Sequence, residues 1–207
     1  MSVALQEHVN AANEPYLALF RAAVDQLRCE DEALRAAMTE GHDATGGYVG
    51  VARGLTYWLF ETTLVYFIFR AWVRLAHVAW EHAVGPSSER PDAFTERRRG
   101  ASEKCDLVLL GDGNRPVAAF EAKWWNTELS GKALLSDVKK LRRNFANIDK
   151  FLLTFWWSTD AQKDFRDADD FCQKSGLSLV YCSSFYTSLI DGARGAFTFG
   201  VISVPEH

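Results

Sequence analysis

The chain has 207 residues and a mass of 23.3 kDa, and 48% of its residues are hydrophobic. This balance indicates a globular protein with a sizeable core, and it excludes a disordered chain or a disulfide-stapled miniprotein. The formal net charge of -4 gives no general attraction to nucleic acid or anionic lipid. The first 50 residues carry eight acids and three arginines, which leaves 20 bases against 19 acids in the remainder. The acidity therefore belongs to the N-terminal segment.

Neither the cysteines nor the apolar stretches indicate a secreted, zinc-binding or membrane protein. The four cysteines are far apart and form no metal-binding or redox motif. The apolar stretch 57–80 holds at most eight uncharged residues in a row, whereas a membrane-spanning helix needs roughly 20. We therefore expect a cytoplasmic protein with reduced thiols and no contact with a membrane.

The first half of the chain predicts two helices and a strand. Apolar residues recur at helical spacing from Glu14 to Met38, which predicts an amphipathic helix that packs on a domain or on a partner. The glycine-rich stretch 40–54 predicts a connection. Thr56 is the expected N-cap of a largely apolar helix, Tyr57–Leu75, and His77–Val84 is the first expected strand.

In the second half, strands alternate with helices. Cys105–Leu110 and Val117–Trp125 flank a run of strong turn residues, which predicts an antiparallel hairpin. The elements expected after it are a helix from Ser130 to about Asn147, a strand Phe151–Trp157, a helix capped by Thr159 with Gln162 and ended by Gly176, a strand Leu177–Cys182 and an edge strand Ala196–Val204. This order predicts an α/β fold in which helices flank a mixed sheet whose last crossovers are parallel.

Three charged residues interrupt the apolar hairpin. Side chains alternate between the two faces of a strand, so Glu121 and Lys123 point the same way, and the hairpin can bring Asp106 beside them. Two carboxylates and an ammonium on an apolar sheet are costly unless they pair or hold a metal. A hard divalent cation with oxygen ligands relieves the repulsion between the carboxylates. The alternative is a buried structural ion pair with one spare charge.

The spacing of these residues resembles that of a known enzyme family. Asp106 is followed after fourteen residues by Glu121-Ala122-Lys123, on a hairpin between a long helix and an amphipathic helix. This arrangement is similar to the PD-(D/E)XK nuclease superfamily over about residues 56–182, although Cys105 replaces the proline that often precedes the aspartate. The resemblance implies a restriction-endonuclease-like fold.

The implied organisation is a nuclease-like domain over residues 51–207 with an N-terminal helical extension over residues 1–50. Asp106, Glu121 and the backbone carbonyl of Ala122 would bind Mg²⁺ or Mn²⁺. Lys123 would orient and help deprotonate the attacking water, or stabilise charge on the phosphate. The implied activity is hydrolysis of DNA phosphodiester bonds, leaving a 5′-phosphate and a 3′-hydroxyl.

The resemblance also implies accessory residues at the site. Glu61 matches an acid that completes the site on the first helix in several members, and it is a possible metal ligand; pairing with a nearby arginine is the alternative. Glu81 could instead reach the site from the first strand, or face solvent. Asp137 and Lys140 lie three apart and share a face of the next helix, where similar nucleases often carry a polar pair.

Two basic groups are candidates for contact with a phosphate backbone. One is Arg97, Arg98 and Arg99, in a polar loop predicted over residues 86–103, and the other is Lys139, Arg142 and Arg143 on the helix after the hairpin. Solvated surfaces explain both groups as well. Expected partners are DNA, a second copy of the chain bound through the Glu14–Met38 helix, and other subunits of a defence or repair system.

A second function remains open from the sequence. The acidic N-terminal helix and the mild net charge favour a catalytically inactive protein on the same fold, which binds nucleic acid or a protein as a regulator. Restriction, phage defence, recombination and repair all use this fold, so the fold alone does not choose among them.

Overall fold

The protein is described by a computed structural model that covers residues 6–9, 14–45, 60–84, 103–125, 128–188 and 194–206. These residues form seven strands and four α-helices, so the predicted α/β class is confirmed. In chain order the elements are β1 (Gln6–Val9), α1 (Glu14–Thr45), α2 (Glu61–Trp72), β2 (Val78–Val84), β3 (Glu103–Leu110), β4 (Pro116–Trp124), α3 (Glu128–Asn144), β5 (Asp149–Ser158), α4 (Ala161–Lys174), β6 (Ser178–Ser188) and β7 (Arg194–Ser203).

The strands form one mixed sheet in the order β1-β6-β7-β5-β4-β3-β2. β4 and β5 are parallel and are joined by α3, as the sequence predicts, whereas every other pair of neighbours is antiparallel. β5 and β6 also run in the same direction, but β7 lies between them. The prediction that Ala196–Val204 forms an edge strand is therefore wrong, because β7 pairs on both sides.

Helices cover both faces of the sheet. α1 and α2 pack on one face around Phe20, Trp72 and Phe120, and α3 and α4 pack on the other face around Leu141 and Cys172. The indole N–H of Trp72 donates to the Leu19 carbonyl at 2.7 Å, which ties α2 to α1.

The apolar face of α1 packs on the chain's own domain. Leu19, Phe20, Val24 and Leu27 are buried in the same core as the central strands. Of the two outcomes expected for this helix, packing on a domain is the one observed. These apolar side chains are therefore covered within the chain, and the expected dimer contact through the Glu14–Met38 helix stays a prediction.

Several element boundaries differ from the prediction. α1 continues to Thr45, into the stretch 40–54 that was expected to be a connection, and β1 was not predicted. β6 runs on to Ser188, beyond the predicted end at Cys182. The expected cap at Thr56 lies outside the described residues.

The helix caps show why two of the boundaries moved. α3 begins at Glu128, so the predicted cap Ser130 lies inside the helix. α4 is capped by Asp160, whose side chain accepts hydrogen bonds from the backbone N–H groups of Gln162 and Lys163 at 3.1 and 3.0 Å. The capping box predicted for Thr159 is wrong because the next residue supplies a stronger acceptor.

The predicted end of α4 is confirmed. Gly176 has a φ of 64°, in the left-handed region that glycine adopts without a steric penalty, and the chain turns there into β6. Among the described residues, no helix has the length and apolar character needed to cross a membrane.

Candidate active site

The two faces of β4 separate core residues from charged residues. Phe120 and Ala122 lie in the core beneath α1 and α2, whereas Glu121 and Lys123 contact side chains of α3 on the other face. The prediction that Glu121 and Lys123 share a face is therefore confirmed.

The hairpin brings Asp106 to the same point. Leu107 of β3 pairs with Phe120 of β4, so Asp106 and Glu121 are the next residues of the two strands beyond that pair. Asp106 Oδ2 accepts a hydrogen bond from the backbone N–H of Ala122 at 2.8 Å. One carboxyl oxygen of Asp106 is therefore fixed against β4.

Lys123 is held by carboxylates from both flanking helices. Its Nζ lies 2.9 Å from Glu61 Oε1, at the first residue of α2, and 3.6 Å from Asp137 Oδ2 on α3. Glu61 Oε2 also accepts from the backbone N–H of Trp124 at 2.9 Å. Glu61 therefore reaches the site, where its partner is a lysine and not the arginine considered in the alternative.

Lys140 pairs with the most buried of the carboxylates. Its Nζ lies 2.7 Å from Glu121 Oε1, and the Glu121 side chain is only 5% exposed. That contact is poorly aligned, because among the residues that the structure describes no well-aligned hydrogen bond reaches Glu121 Oε1 or Asp137 Oδ2. Asp137 and Lys140 therefore both face the site from α3.

Together these six side chains form what we call the ionic cluster. Its members are Glu61, Asp106, Glu121, Lys123, Asp137 and Lys140. Four carboxylates against two ammonium groups leave a formal charge of -2 in a partly buried site. A single divalent cation would offset that excess.

Burial shifts the proton affinities of the cluster. It raises the pKa of Glu121 to about 7, with the charge of Asp106 adding to the effect and Lys140 opposing it. Burial also raises the pKa values of Asp106 and Asp137. For Lys123, burial acts to lower the pKa, but the hydrogen bond and charge of Glu61 outweigh it and the net shift is upward. Near neutral pH, Glu121 is therefore populated in both its protonated and its ionised form, while Lys123 stays charged.

Cys105, the residue that replaces proline before Asp106, is a packed thiol. It is fully buried, and its Sγ donates to the Phe120 carbonyl at 3.3 Å. Burial and the charge of Glu121 raise the pKa of this thiol above its usual value. Cys105 therefore stays protonated and contributes packing at the base of the hairpin.

Other candidates lie away from the cluster. Glu81 pairs with Lys104 at 2.7 Å, and both side chains are about half exposed, so Glu81 faces solvent. Arg142 donates to the Pro205 carbonyl at 2.9 Å, and Arg143 forms an ion pair with Glu103. These arginines are therefore engaged within the chain.

Four basic residues remain among those predicted to contact a phosphate backbone. Lys139 is exposed on α3. Arg97, Arg98 and Arg99 lie outside the described residues.

The donor chemistry of the cluster suits a hard divalent cation. All its acidic groups offer oxygen, and two buried carboxylate oxygens, on Glu121 and Asp137, have no well-aligned hydrogen-bond partner in the described part of the chain. Within the described residues, no group of three or more His, Cys, Asp or Glu side chains is arranged to hold a metal ion. The predicted ligand set is smaller, with two carboxylates, Asp106 and Glu121, and the carbonyl of Ala122. Glu61 is already engaged by Lys123 and Trp124, so its geometry fits a positioning role.

Comparisons with protein-family models, with curated proteins and with solved structures found no match. The functional inference therefore depends on the geometry of the ionic cluster.

Proposed function

We propose that the protein is a Mg²⁺-dependent nuclease that hydrolyses phosphodiester bonds of DNA on a restriction-endonuclease-like fold. The carrying observation is the meeting of Asp106, Glu121 and Lys123 on one face of the β3–β4 hairpin. The surrounding topology supports it, because α2 precedes an antiparallel β2-β3-β4 meander and α3 crosses over to a parallel strand.

In this proposal Asp106, Glu121 and the Ala122 carbonyl hold the cation. A bound Mg²⁺ would lower the pKa of a water ligand and offset charge on the phosphate. Both carboxylates lie on strands of the sheet, and one oxygen of Asp106 is fixed by its hydrogen bond to β4. The relative position of the two proposed ligands therefore needs no loop movement.

Lys123 supplies a fixed positive charge. Its raised pKa keeps it protonated at neutral pH, so it serves as a hydrogen-bond donor and cation toward a phosphate oxygen and not as a base. Glu61 and Asp137 hold it from two sides and limit its rotamers. Of the two roles that the resemblance implies for this lysine, charge stabilisation fits these contacts better.

A nuclease panel tests the proposal. The full chain is incubated with plasmid, linear, branched and single-stranded DNA and with RNA, in Mg²⁺, Mn²⁺ or EDTA. We expect metal-dependent cutting of DNA that Lys123→Ala abolishes. Lys104→Ala is the matched control, since it removes a strand lysine whose ion pair is with the exposed Glu81. Cutting that survives both Asp106→Ala and Glu121→Ala would overturn the proposal.

The second candidate is a catalytically inactive regulator on the same fold. The observation that favours it is that Lys123 and Lys140 already neutralise carboxylates of the cluster. Mn²⁺ titration by calorimetry separates the two functions. Absence of Mn²⁺ binding together with tight binding of nucleic acid or a partner protein would favour the regulator.

We also propose a reducing, cytoplasmic location, with DNA as the partner in a restriction, defence or repair system. All four cysteines are free thiols, and three of them are buried. Buried free thiols are compatible with a compartment that keeps cysteine reduced.

A further inference from the structure

Lys140 lies beside Glu121, the carboxylate that a cation would bind. Its Nζ is 2.7 Å from Glu121 Oε1, where the side chains are 19% and 5% exposed, respectively. A buried carboxylate without a counter-charge is strongly destabilising. In the metal-free protein, Lys140 supplies that counter-charge.

The Lys140 contact is close but weakly directed. Glu121 Oε1 lies within ion-pair distance of the ammonium group, but no hydrogen bond of good geometry reaches it from the described part of the chain. Lysine carries its charge on a flexible four-carbon stem, so the ammonium can move away while α3 stays in place. The pairing is therefore electrostatic and replaceable.

The two lysines of the cluster differ in how they are held. Lys123 has carboxylates on both sides, Glu61 at 2.9 Å and Asp137 at 3.6 Å. Within the described residues, the one carboxylate at ion-pair distance from Lys140 is Glu121. A cation that takes Glu121 would leave Lys123 paired and release Lys140.

We propose that Lys140 is an exchangeable counterion: it neutralises Glu121 in the metal-free protein, and a divalent cation bound at Asp106 and Glu121 displaces it. This inference rests on the proposed metal site at Asp106 and Glu121. A bound divalent cation would place two positive charges at Glu121 where the Lys140 ammonium supplies one, and it would leave that ammonium without its carboxylate partner.

Mn²⁺ binding to the full chain without DNA tests the exchange. Free Mn²⁺ is measured by electron paramagnetic resonance for the wild type, Lys140→Met, Lys140→Arg and Lys139→Met. We expect about tenfold tighter binding in Lys140→Met, which corresponds to losing a competitor worth about 1.4 kcal/mol. Lys140→Arg keeps the competing charge and should bind nearly as the wild type does.

Lys139→Met is the matched control, because it removes the same charge from the neighbouring exposed position. At about 0.15 M salt, screening should limit its effect to about twofold. Thermal melting gives an independent measurement. In EDTA, Lys140→Met should melt below the wild type, and Mn²⁺ should raise its melting temperature by more than it raises that of the wild type.

The outcomes separate this inference from the proposed function. Equal Mn²⁺ affinity in the wild type and Lys140→Met would overturn the exchange while the metal site stands. Mn²⁺ binding to neither protein would overturn both. Tighter binding in Lys140→Met, in a protein that cuts no DNA, would overturn the nuclease and support the exchange. If Lys140→Met is unfolded in EDTA, circular dichroism replaces melting: refolding on Mn²⁺ addition supports the exchange, and no refolding overturns it.

Discussion

Alternate residues of the nine-residue strand β4 face two different environments, one on each face of the sheet. On the α1–α2 face, Phe120 stacks on Phe151 at a ring-centroid distance of 5.1 Å and meets Trp72 edge to face at 4.8 Å. On the α3 face, Glu121 and Lys123 enter the ionic cluster. One face buries apolar rings, and the other buries charge.

This contrast shows how a small domain can tolerate a costly site. Burying aromatic surface stabilises the fold by roughly 25 cal/mol per Å², whereas a buried, imperfectly paired carboxylate destabilises it. Both effects act on one strand, so the aromatic face fixes the backbone that presents the carboxylates. Four substitutions measure the two faces, from the largest expected effect to the smallest.

Removing a ring from the aromatic face should cost the most stability. Phe120→Ala deletes contacts with Phe151 and Trp72 at a fully buried position. We expect a loss of about 3–5 kcal/mol in the free energy of unfolding, measured by urea denaturation. A loss below about 1 kcal/mol would show that this face does not anchor the strand.

Neutralising the buried carboxylate should change how stability depends on pH. The pKa of Glu121 is raised from 4.5 to about 7 by burial, so the folded protein binds more protons than the unfolded chain in that window. The free energy of unfolding of the wild type should therefore fall as pH rises from about 4.5 to about 7, by up to about 3 kcal/mol from this group.

Glu121→Gln cannot titrate and should lack that part of the slope. Urea denaturation in EDTA at pH 5 and pH 8 measures this pH dependence. Relative to the wild type, the free energy of unfolding of Glu121→Gln should be higher at pH 8 than at pH 5. Asp106 and Asp137 titrate in both proteins and interact with Glu121, so the comparison measures Glu121 together with its coupling to these two carboxylates. Parallel pH curves for the two proteins would contradict the assigned burial of Glu121.

Releasing Lys123 should affect activity more than stability. Glu61→Gln weakens the 2.9 Å contact with Lys123 Nζ at a site where both side chains are about 30% exposed. We expect the free energy of unfolding to fall by about 1 kcal/mol. If the protein is a nuclease, the variant should cut DNA about 10- to 100-fold more slowly than the wild type. Unchanged cutting at saturating DNA would show that Lys123 does not need Glu61.

The smallest effect is expected at the surface pair on the neighbouring strands. Glu81→Gln breaks a contact with Lys104 in which both side chains are about half exposed. We expect less than about 0.5 kcal/mol of lost stability and unchanged cutting, which makes it the control for Glu61→Gln. An effect as large as that of Glu61→Gln would mean that Glu81 reaches the site after all.

Local patterns predicted the hairpin and its charged face well. Turn residues between two apolar runs marked the hairpin, and the two-residue repeat assigned Glu121 and Lys123 to one face. Helical spacing likewise assigned Asp137 and Lys140 to one face of α3. Each of these inferences needs only neighbours in sequence.

Strand order was harder to predict because its partners are remote. β7 was expected at an edge but lies between β5 and β6. A signal was present: Ala196, Phe197, Phe199, Val201 and Ile202 are all buried, and a nearly continuous apolar run indicates a strand covered on both faces. β1 has only four residues, two of them charged or titratable, and gave no such signal.

The choice between Glu61 and Glu81 depended on tertiary geometry. Both acids precede the hairpin in the chain, so spacing alone could not separate them. In the fold, the start of α2 meets the end of β4, where Glu61 accepts from the Trp124 N–H. Glu81 instead has a φ of 48° and pairs outward with Lys104. Backbone conformation of this kind is not visible in residue types.

The central position of β7 also bears on how the protein is made. Ribosomal synthesis supplies β5 and β6 before the strand that joins them, so a nascent chain holds two unpaired strand edges until residues 194–203 emerge. Exposed edges of that kind invite pairing between chains. Joining β1 and β6 to the β5-β4-β3-β2 part of the sheet therefore requires β7, and chaperone dependence or aggregation of nascent chains should ease once β7 has left the ribosome.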